Sequence, residues 1–532
     1  MRQQNRTSIT FLLVALGLFV GLLLGWLLQR NADRQTDGLG SWGSSNKLDQ
    51  IWHTIQRQYV DNIDDSIADR MYAAMVASLD PHSNYVTAEE MRRESTSLKG
   101  QFGGVGMALR MMNDTVRIGQ VYADQPADKA GLHPSDCLLA VNDTTVSGVK
   151  RTLDDVVSMV RGPRGSKVKL TVLRPGAKKT MDVEVRRATI QIPSVVYKGM
   201  LDRTTGYIKV VQFDAHTDAE FRDAIRLLRK KGMQRLVVDL RNNAGGLLNA
   251  AVNVCDELLP HNELIVYTQG VHQARHDIRS KAGGLFSKGD VMVLIDEFSA
   301  SASEIVAGAI QDNDRGVVVG RRSFGKGLVQ QFYNLSDGSA LRLTTSRYYT
   351  PSGRCIQRPY DKGTDEYYED FISQLYAGLD DDSLVTAVTD STPYYTQNGR
   401  VVYGGGGILP DHVLTFSGDT NRYYFNRMAN AGVFAGYAME LTARRGATWI
   451  ERYANADDFV ARYQPTDADM EGLYAYGVKM GVPRNATSIA RYNKEMRSLL
   501  KAHIGDLLYG AETFYKVHLW ADEELQQALK FF

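Results

Sequence analysis

One stretch of the sequence, Asp296–Gln330, constrains the fold of this chain more than any other. It follows an apolar run, Val291–Ile295, which predicts a buried strand. A turn of small residues, Ser299–Ser303, comes next, and Glu304 then begins a pattern of apolar residues at helical spacing. A second apolar run, Val317–Val319, predicts the next strand. Such a unit predicts an α/β core in which helices cover a largely parallel sheet.

The same stretch carries three residues suited to acyl transfer. Ser301 lies in the turn before the helix, where free backbone N–H groups can stabilise a negative charge. Lys326 follows 25 residues later, between Gly325 and Gly327, which let the main chain pack closely around its amine. Burial would lower the pKa of that amine, so that it could take the proton of a serine hydroxyl. Gln330 could accept a hydrogen bond from the amine and orient it. Taken singly, a turn serine is usually a helix cap and such a lysine an exposed loop residue, so the assignment depends on the combination.

Size and composition exclude some classes of protein. A chain of 532 residues predicts several domains, and 43% hydrophobic with 23% charged residues is typical of a globular protein. A net charge of +1 gives no reason to expect a nucleic-acid partner. The widely spaced Cys137, Cys255 and Cys355 predict neither a disulfide framework nor a metal site.

The N-terminus predicts a membrane segment within residues 1–30. Ile9–Leu28 has no charge and is long enough to span a hydrocarbon core of about 30 Å. We expect an uncleaved anchor in the inner membrane, with a cleaved signal segment as the alternative. Arg2 and Arg6 precede the run, which favours an extracytoplasmic (periplasmic) location in the cell envelope for the rest of the chain. Glycines four residues apart on one face of this helix also permit a homo-oligomer.

Changes in pattern along the chain define the other regions. They are a flexible linker (31–46), an N-terminal helical region (47–100), a short-stranded β region (101–188), the α/β core (189–415) and a helical C-terminal domain (416–532).

The β region begins with a glycine-rich loop whose residues are Phe102, Gly103, Gly104, Val105 and Gly106. Such a loop can offer consecutive N–H groups to a carboxylate, and the strand after it can pair with an extended peptide. Together with the segments 126–132 and 136–142, the loop resembles that of a PDZ domain, and its five residues are the predicted peptide-binding residues.

Two motifs resemble those of the carboxyl-terminal processing peptidases, or tail-specific proteases. They are Ser299-Ala-Ser-Ala-Ser-Glu304 and Ser323-Phe-Gly-Lys-Gly-Leu-Val-Gln330. The segments 80–83, 239–246 and 406–411 match further motifs of that family in the expected order. The resemblance implies a crotonase-like protease core with Ser301 as nucleophile, Lys326 as base and Gln330 completing the site. It also implies a serine endopeptidase that cleaves proteins near their C-termini after the PDZ domain captures an apolar tail, without cofactor or metal.

The oxyanion hole needs two backbone N–H groups aimed at the developing charge. We expect them from Ala302 and from Gly245, at the end of a neighbouring strand. Asp312 could support the site by resemblance, but an ordinary surface carboxylate is the expectation. His216 and His272 are alternative bases without a supporting motif.

Two further questions stay open at this point. The alternative to a protease is a PDZ-based binding or scaffold protein of the envelope whose protease core is latent or inactive. The apolar C-terminus, Ala528–Phe532, could engage the peptide site of its own chain or form an ordinary packed helix end.

Overall fold

The computed structural model describes residues 44–112, 114–122, 124–281, 283–380, 390–414 and 420–532. The predicted membrane segment and nearly all of the linker lie outside these residues. Within the described ranges, no helix is both long and apolar enough to cross a bilayer.

The described residues up to Met71 form a unit of their own. This unit contains α1 (Ser44–Gln58) and the start of α2 (Asp65–Ala77). The carboxylate of Asp64 begins α2 by accepting the N–H of Ile67 at 3.2 Å.

The second unit, from Tyr72 onward, holds the remaining elements. Its first elements are β1 (Asn84–Val86) and α3 (Ala88–Lys99). The predicted PDZ region then contains β2 (Gln101–Gly104), β3 (Met107–Met112), β4 (Thr115–Val121), α4 (Pro126–Lys129), β5 (Cys137–Val141), β6 (Thr144–Thr145), α5 (Leu153–Val160), β7 (Lys167–Leu173), β8 (Met181–Arg186) and β9 (Ala188–Gln191).

The PDZ sheet is antiparallel in the order β3-β4-β5-β7-β8, with β6 paired to β5. Alternate residues of its strands are buried, as in β7, where Val168, Leu170 and Val172 point into the core. Strand β3 lies at one edge of this sheet, and β2 pairs instead with β9.

The next region contains the α/β core. Its elements are β10 (Val195–Met200), β11 (Thr205–Val210), α6 (Thr217–Lys230), β12 (Arg235–Asp239), α7 (Leu248–Leu258), β13 (Leu264–Gly270), β14 (Gln273–Arg279), β15 (Asp290–Ile295), α8 (Ala302–Asp312), β16 (Val317–Gly320), β17 (Leu328–Asn334), β18 (Ala340–Tyr349), α9 (Thr364–Asp380), β19 (Pro393–Tyr395), β20 (Val401–Tyr403) and β21 (His412–Val413).

The central sheet has the order β10-β11-β12-β15-β16-β21. Its first pairing is antiparallel and the other four are parallel. The continuous apolar runs of β12 and β15 suit strands that are buried on both faces. Helices α6, α7 and α8 contribute the core on one face, which includes Phe221, Val254 and Ile305.

Antiparallel pairing predominates elsewhere. A second sheet of the core has the order β1-β18-β13-β14, with β17 paired to β18, and all its pairings are antiparallel. The pair β19–β20 is also antiparallel. The expectation of a largely parallel sheet in the protease core therefore applies to the central sheet alone, and it was wrong for the second sheet of the core. The crotonase-like resemblance stays a prediction.

The C-terminal region is helical, as predicted. It contains α10 (Thr420–Asn430), α11 (Val433–Arg452), α12 (Ala456–Arg462), α13 (Asp467–Lys479), α14 (Ala486–Tyr509), α15 (Ala511–Ala521), α16 (Glu523–Ala528) and a 3₁₀ turn (Leu529–Phe531). Helices α10 to α14 share a core of their own that includes Phe434, Phe459 and Leu500.

The last two helices contribute to the protease core, although Phe514 of α15 also packs against the helical core. Leu519 of α15 and Leu525 of α16 are buried in one cluster with Met292 and Leu294 of β15. These helices cover the second face of the central sheet. Phe532 packs against the same cluster, which agrees with a packed helix end.

Candidate active site

Ser301 occupies a strained turn between β15 and α8. Its backbone angles are φ 54° and ψ −111°, close to those that glycine usually adopts at the first central position of a type II′ turn. The buried carboxylate of Asp296 stabilises this turn by accepting the N–H of Phe298 at 3.1 Å and the hydroxyl of Ser299 at 3.1 Å. A serine in such a turn projects from the strand end as a nucleophile must.

Glu304 connects the serine turn to the lysine loop. Its buried carboxylate accepts the N–H of Ser301 at 2.7 Å and that of Lys326 at 2.9 Å. It also accepts the N–H of Gly325 at 2.7 Å and the hydroxyl of Ser323 at 2.6 Å. Burial raises the pKa of Glu304 to about 7, against the opposing effect of these hydrogen bonds. Sequence reasoning assigned this residue only to the start of a helix, although a carboxylate three residues after a turn serine is a known capping pattern.

Lys326 is partly buried, as its glycine neighbours predict. A Cβ on Gly325 would lie 2.6 Å from Cγ of Arg358, so only glycine allows this close approach. The Nζ atom of Lys326 donates to Oε1 of Gln330 at 2.9 Å. Burial, followed by the positive charge of Arg342, lowers the pKa of the Lys326 amine to about 8.

The segment 80–83 positions Gln330, the hydrogen-bond partner of Lys326. Nε2 of Gln330 donates to the carbonyl oxygen of His82 at 2.6 Å. Asp80 fixes the backbone there by accepting the N–H groups of His82 at 2.9 Å and Ser83 at 2.8 Å. Burial, followed by the charge of Lys326, lowers the pKa of His82 to about 4, which keeps this imidazole neutral at pH 7. No local sequence pattern predicts the contact between Gln330 and the carbonyl oxygen of His82, because the two residues are far apart in the chain.

No hydrogen bond joins the side chains of Ser301 and Lys326 among the described residues. Their main chains nevertheless converge on one hydroxyl. Oη of the buried Tyr348 lies 3.1 Å from the carbonyl oxygen of Ser301 and 2.7 Å from that of Lys326. Burial raises the pKa of Tyr348 well above its usual value, so it remains a donor. Catalytic hydrogen bonds are often long before substrate binds, so this geometry is compatible with a Ser–Lys pair.

The two predicted oxyanion donors lie side by side. A Cβ on Gly245 would be 2.9 Å from Cβ of Ser301 and 3.0 Å from the nitrogen of Ala302. The Ala302 N–H has no acceptor within the described part of the chain. The Gly245 N–H donates to Oδ1 of Asn243 at 2.9 Å, so it is occupied in this conformation.

Neither of the alternative histidine bases contacts the site. His272 is exposed in the turn between β13 and β14, and His216 precedes α6. No described hydrogen bond connects either of them to Ser301.

Asp312 is not a surface carboxylate, and that expectation was wrong. Its side chain is fully buried and forms an ion pair of 2.7 Å with the equally buried Arg354. It also accepts the hydroxyl of Ser352 at 2.6 Å. The buried guanidinium compensates the buried charge, which a sequence pattern does not reveal.

The predicted peptide-binding loop borders a groove between β3 and α5. The groove has a volume of about 160 Å³, and its lining includes Phe102, Gly104, Val105, Gly106, Met107, Leu109, Val157 and Val160. The N–H groups of Val105 and Gly106 have no acceptor among the residues that the structure describes. Gly103 instead packs away from the groove, where its carbonyl oxygen accepts the N–H of Gly162 at 3.1 Å. Free N–H groups beside an edge strand and an apolar groove can hold the end of a peptide.

Over the described ranges, no group of three or more His, Cys, Asp or Glu side chains could hold a metal ion. Cys137, Cys255 and Cys355 are free.

Comparison with known proteins identifies three regions. The model of peptidase family S41 matches residues 204–367, and that of a PDZ domain matches residues 117–174. Residues 424–510 match a family of unknown function (DUF8443). The carboxy-terminal-processing protease of Bartonella bacilliformis is 39% identical over 319 residues, which are 58% of this chain and 72% of that protein. This chain belongs to peptidase family S41. It is a serine-type peptidase of the carboxy-terminal-processing kind, and it carries a PDZ domain.

Further similar proteins were found among curated proteins and solved structures. A probable CtpA-like serine protease of Staphylococcus epidermidis is 33% identical over 330 residues, covering 60% of this chain and 65% of that protein. Among solved structures, the photosystem II D1 C-terminal processing protease is 28% identical, covers 59% of this chain and 90% of its own, and has a TM-score of 0.34. The PDZ domain of a carboxy-terminal protease from Vibrio cholerae, solved with a peptide, is 34% identical over 17% of this chain and 99% of its own, with a TM-score of 0.16.

Proposed function

We propose that this S41 peptidase works through a Ser–Lys dyad in which Ser301 is the nucleophile and Lys326 the general base. The observation that carries the proposal is the setting of the Lys326 amine. It is held by Gln330 where burial brings its pKa to about 8, and its main chain is linked through Glu304 to that of the serine. A base with a pKa near the working pH is effective in proton transfer.

The reaction follows from these groups. The neutral amine of Lys326 takes the proton of Ser301 Oγ as Oγ attacks the scissile carbonyl carbon. The Ala302 N–H stabilises the oxyanion, and Gly245 becomes the second donor once its N–H leaves Asn243. Lys326 then returns the proton to the departing amine, and water hydrolyses the acyl-enzyme.

Substrate delivery is the proposed task of the PDZ domain. The groove beside β3 is lined by apolar side chains such as Leu109 and Val157, which suit an apolar C-terminal side chain. The free N–H groups of Val105 and Gly106 suit its terminal carboxylate. We therefore propose that the groove captures unstructured apolar C-termini, which are then cleaved at Ser301.

The proposed location is the cell envelope. It depends on the apolar run Ile9–Leu28, which would anchor the chain in the inner membrane with the peptidase on the extracytoplasmic side.

A second candidate function is that of a binding protein: the PDZ domain binds peptides while the peptidase core is latent. Two observations favour a resting state that is not fully assembled: Ser301 and Lys326 share no hydrogen bond, and the Gly245 N–H is occupied by Asn243. Latency of this kind is relieved when substrate binding rearranges the site.

The direct test is hydrolysis of an unstructured peptide with an apolar, free C-terminus. We expect Ser301→Ala and Lys326→Met each to reduce kcat by at least about 10³-fold, because nucleophile and base act as one unit. Lys362→Met, which changes an exposed lysine paired with Glu366, is the control and should keep full activity. Substantial hydrolysis by either dyad variant, with an unchanged circular dichroism spectrum, would exclude the assignment.

A further inference from the structure

Three loops of the candidate site leave the same edge of the central sheet. The oxyanion loop (Leu240–Leu247) follows β12, the nucleophile turn (Asp296–Ser301) follows β15, and the lysine loop (Arg321–Gly327) follows β16. These strands are parallel, so their carboxyl ends meet at one edge, where α/β proteins usually form their sites. The relative position of the three loops therefore determines the geometry of the site.

The oxyanion loop is tied to the C-terminal region through Arg241. Nη2 of Arg241 donates to Asp239 at 2.6 Å and to Asp522 at 2.6 Å. Its Nη1 donates to Glu524 at 2.8 Å. Lys209 adds a bond of 2.6 Å to the carbonyl oxygen of Arg241. Only 12% of the Arg241 side chain is exposed, so these ion pairs are shielded from solvent and salt.

The lysine loop and the nucleophile turn join the same network. Glu524 also pairs with Arg321, the first residue of the lysine loop. Arg321 donates to Glu297, in the nucleophile turn, at 2.7 Å. Within that turn, Asp296 accepts the N–H of Asn242 at 2.9 Å, which connects it back to the oxyanion loop.

We propose that Asp522 and Glu524 are positioning residues for the reaction. These two carboxylates lie at the start of α16. They act through Arg241 and Arg321 to fix the positions of the three loops relative to one another. The inference rests on the proposed roles of Ser301 in the nucleophile turn and its partners in the other two loops.

The expected effect falls on the chemical step. The network contacts loops that carry the nucleophile, the base and the oxyanion donors, and it does not contact the PDZ groove. A displacement of about 1 Å at reacting groups costs about 10²-fold in rate, whereas peptide capture depends on surfaces elsewhere. A loss of the network should therefore lower kcat and leave KM nearly unchanged.

The experiment uses the full chain with the double substitution Asp522→Asn and Glu524→Gln. Asparagine caps a helix as well as aspartate does, so the bond that Asp522 accepts from the Leu525 N–H at 3.1 Å is kept. We expect kcat for the apolar-tailed peptide to fall about tenfold and KM to change less than about twofold. Labelling of Ser301 by a fluorophosphonate should slow by a similar factor. Arg321→Lys keeps the positive charge but cannot contact Glu297 and Glu524 at the same time. It should lower kcat by a smaller factor.

The matched control is Arg445→Gln. It removes an ion pair with Asp469 inside the helical domain, away from the three loops. Its kcat per folded molecule should equal that of the unmodified protein, even if its melting temperature falls.

Three outcomes decide between explanations. If the double variant melts at a lower temperature but keeps its kcat per folded molecule, the carboxylates are only structural and the proposal is overturned. An equal loss of kcat in Arg445→Gln would also overturn it. If the unmodified protein hydrolyses the peptide as fast as Ser301→Ala does, the proposed dyad fails instead, independently of Asp522 and Glu524.

Discussion

At the scale of single residues, the proposed mechanism of this peptidase depends on the protonation of Lys326. Its amine must be neutral to accept a proton, and its pKa lies at about 8 because the amine is buried. At pH 7 about one molecule in ten would hold the neutral base. We expect kcat/KM to rise with pH through about 8 and then to level off.

Two neighbouring charges allow this pH dependence to be moved in opposite directions. Arg342 lowers the pKa of Lys326 and Glu94 raises it, and the two form an ion pair of 2.7 Å with each other. In Arg342→Gln the inflection of kcat/KM should move to higher pH, because a repelling charge is gone and Glu94 is left unpaired. In Glu94→Gln it should move to lower pH for the converse reason.

The measurement is a pH series of kcat/KM between pH 6 and pH 10 for both variants. Arg279→Gln, on the exposed strand β14, serves as the control for losing one positive charge. Shifts of the same sign in both variants would contradict Lys326 as the titrating base.

Candidate site residues could be recognised in the sequence only where a motif contained them. Ser301, Lys326 and Gln330 stand out because their local patterns are specific. Glu304 had a weaker signal, its spacing from the turn serine. Tyr348 had none, because its contacts to the site join residues that are distant in sequence.

At the scale of helices and strands, prediction succeeded where burial alternates regularly. Short strands such as Lys167–Leu173 and Met181–Arg186 were predicted for this region, and the helix Leu153–Val160 lies between them and the preceding strands. In each of them one face is buried and the other faces solvent, so the periodicity is strong. The antiparallel partners of β18 were not predictable, because the strands that pair with it are far apart in the chain.

The PDZ groove provides a test at this scale. Val157 of α5 lines the groove, so Val157→Glu would place a charge where an apolar side chain is expected to bind. We expect KM for the apolar-tailed peptide to rise about tenfold or more, with kcat at saturation nearly unchanged.

The control for that substitution is Val149→Glu, because Val149 is 46% exposed in the same domain. A faster rate in Val157→Glu would mean that the PDZ domain restrains the enzyme. An unchanged KM would show that the groove does not capture the substrate.

At the scale of the whole molecule, the boundaries of the hydrophobic cores differ from the domain boundaries that the sequence predicts. The sequence predicted one helical domain over 416–532, yet Leu519 and Leu525 are buried against the central sheet. Amphipathic helices α14 and α15 have similar patterns, so the sequence does not reveal which core each one joins. Packing partners decide this, and they belong to strands more than two hundred residues earlier.

This arrangement predicts that α16 stabilises the peptidase core. Leu525 is fully buried, and Leu525→Ala should reduce the free energy of unfolding by about 2–5 kcal/mol, because it leaves a cavity beside β15. Urea unfolding followed by loss of fluorophosphonate labelling would report on the core. Leu335→Ala, at a position 43% exposed, should change stability by less than about 0.5 kcal/mol. Equal effects in the two variants would show that α16 does not contribute to the core.

The backbone of Ser301 has a consequence on a longer timescale. Positive φ at a residue other than glycine costs about 1–3 kcal/mol, and glycine would remove most of that cost. The greater freedom of glycine in the unfolded chain would take back only about 0.4–1 kcal/mol. A lineage that exchanged this serine for glycine would therefore lose the proposed nucleophile and gain stability. Selection for proteolysis must act continuously at this codon, since selection for folding alone favours its loss.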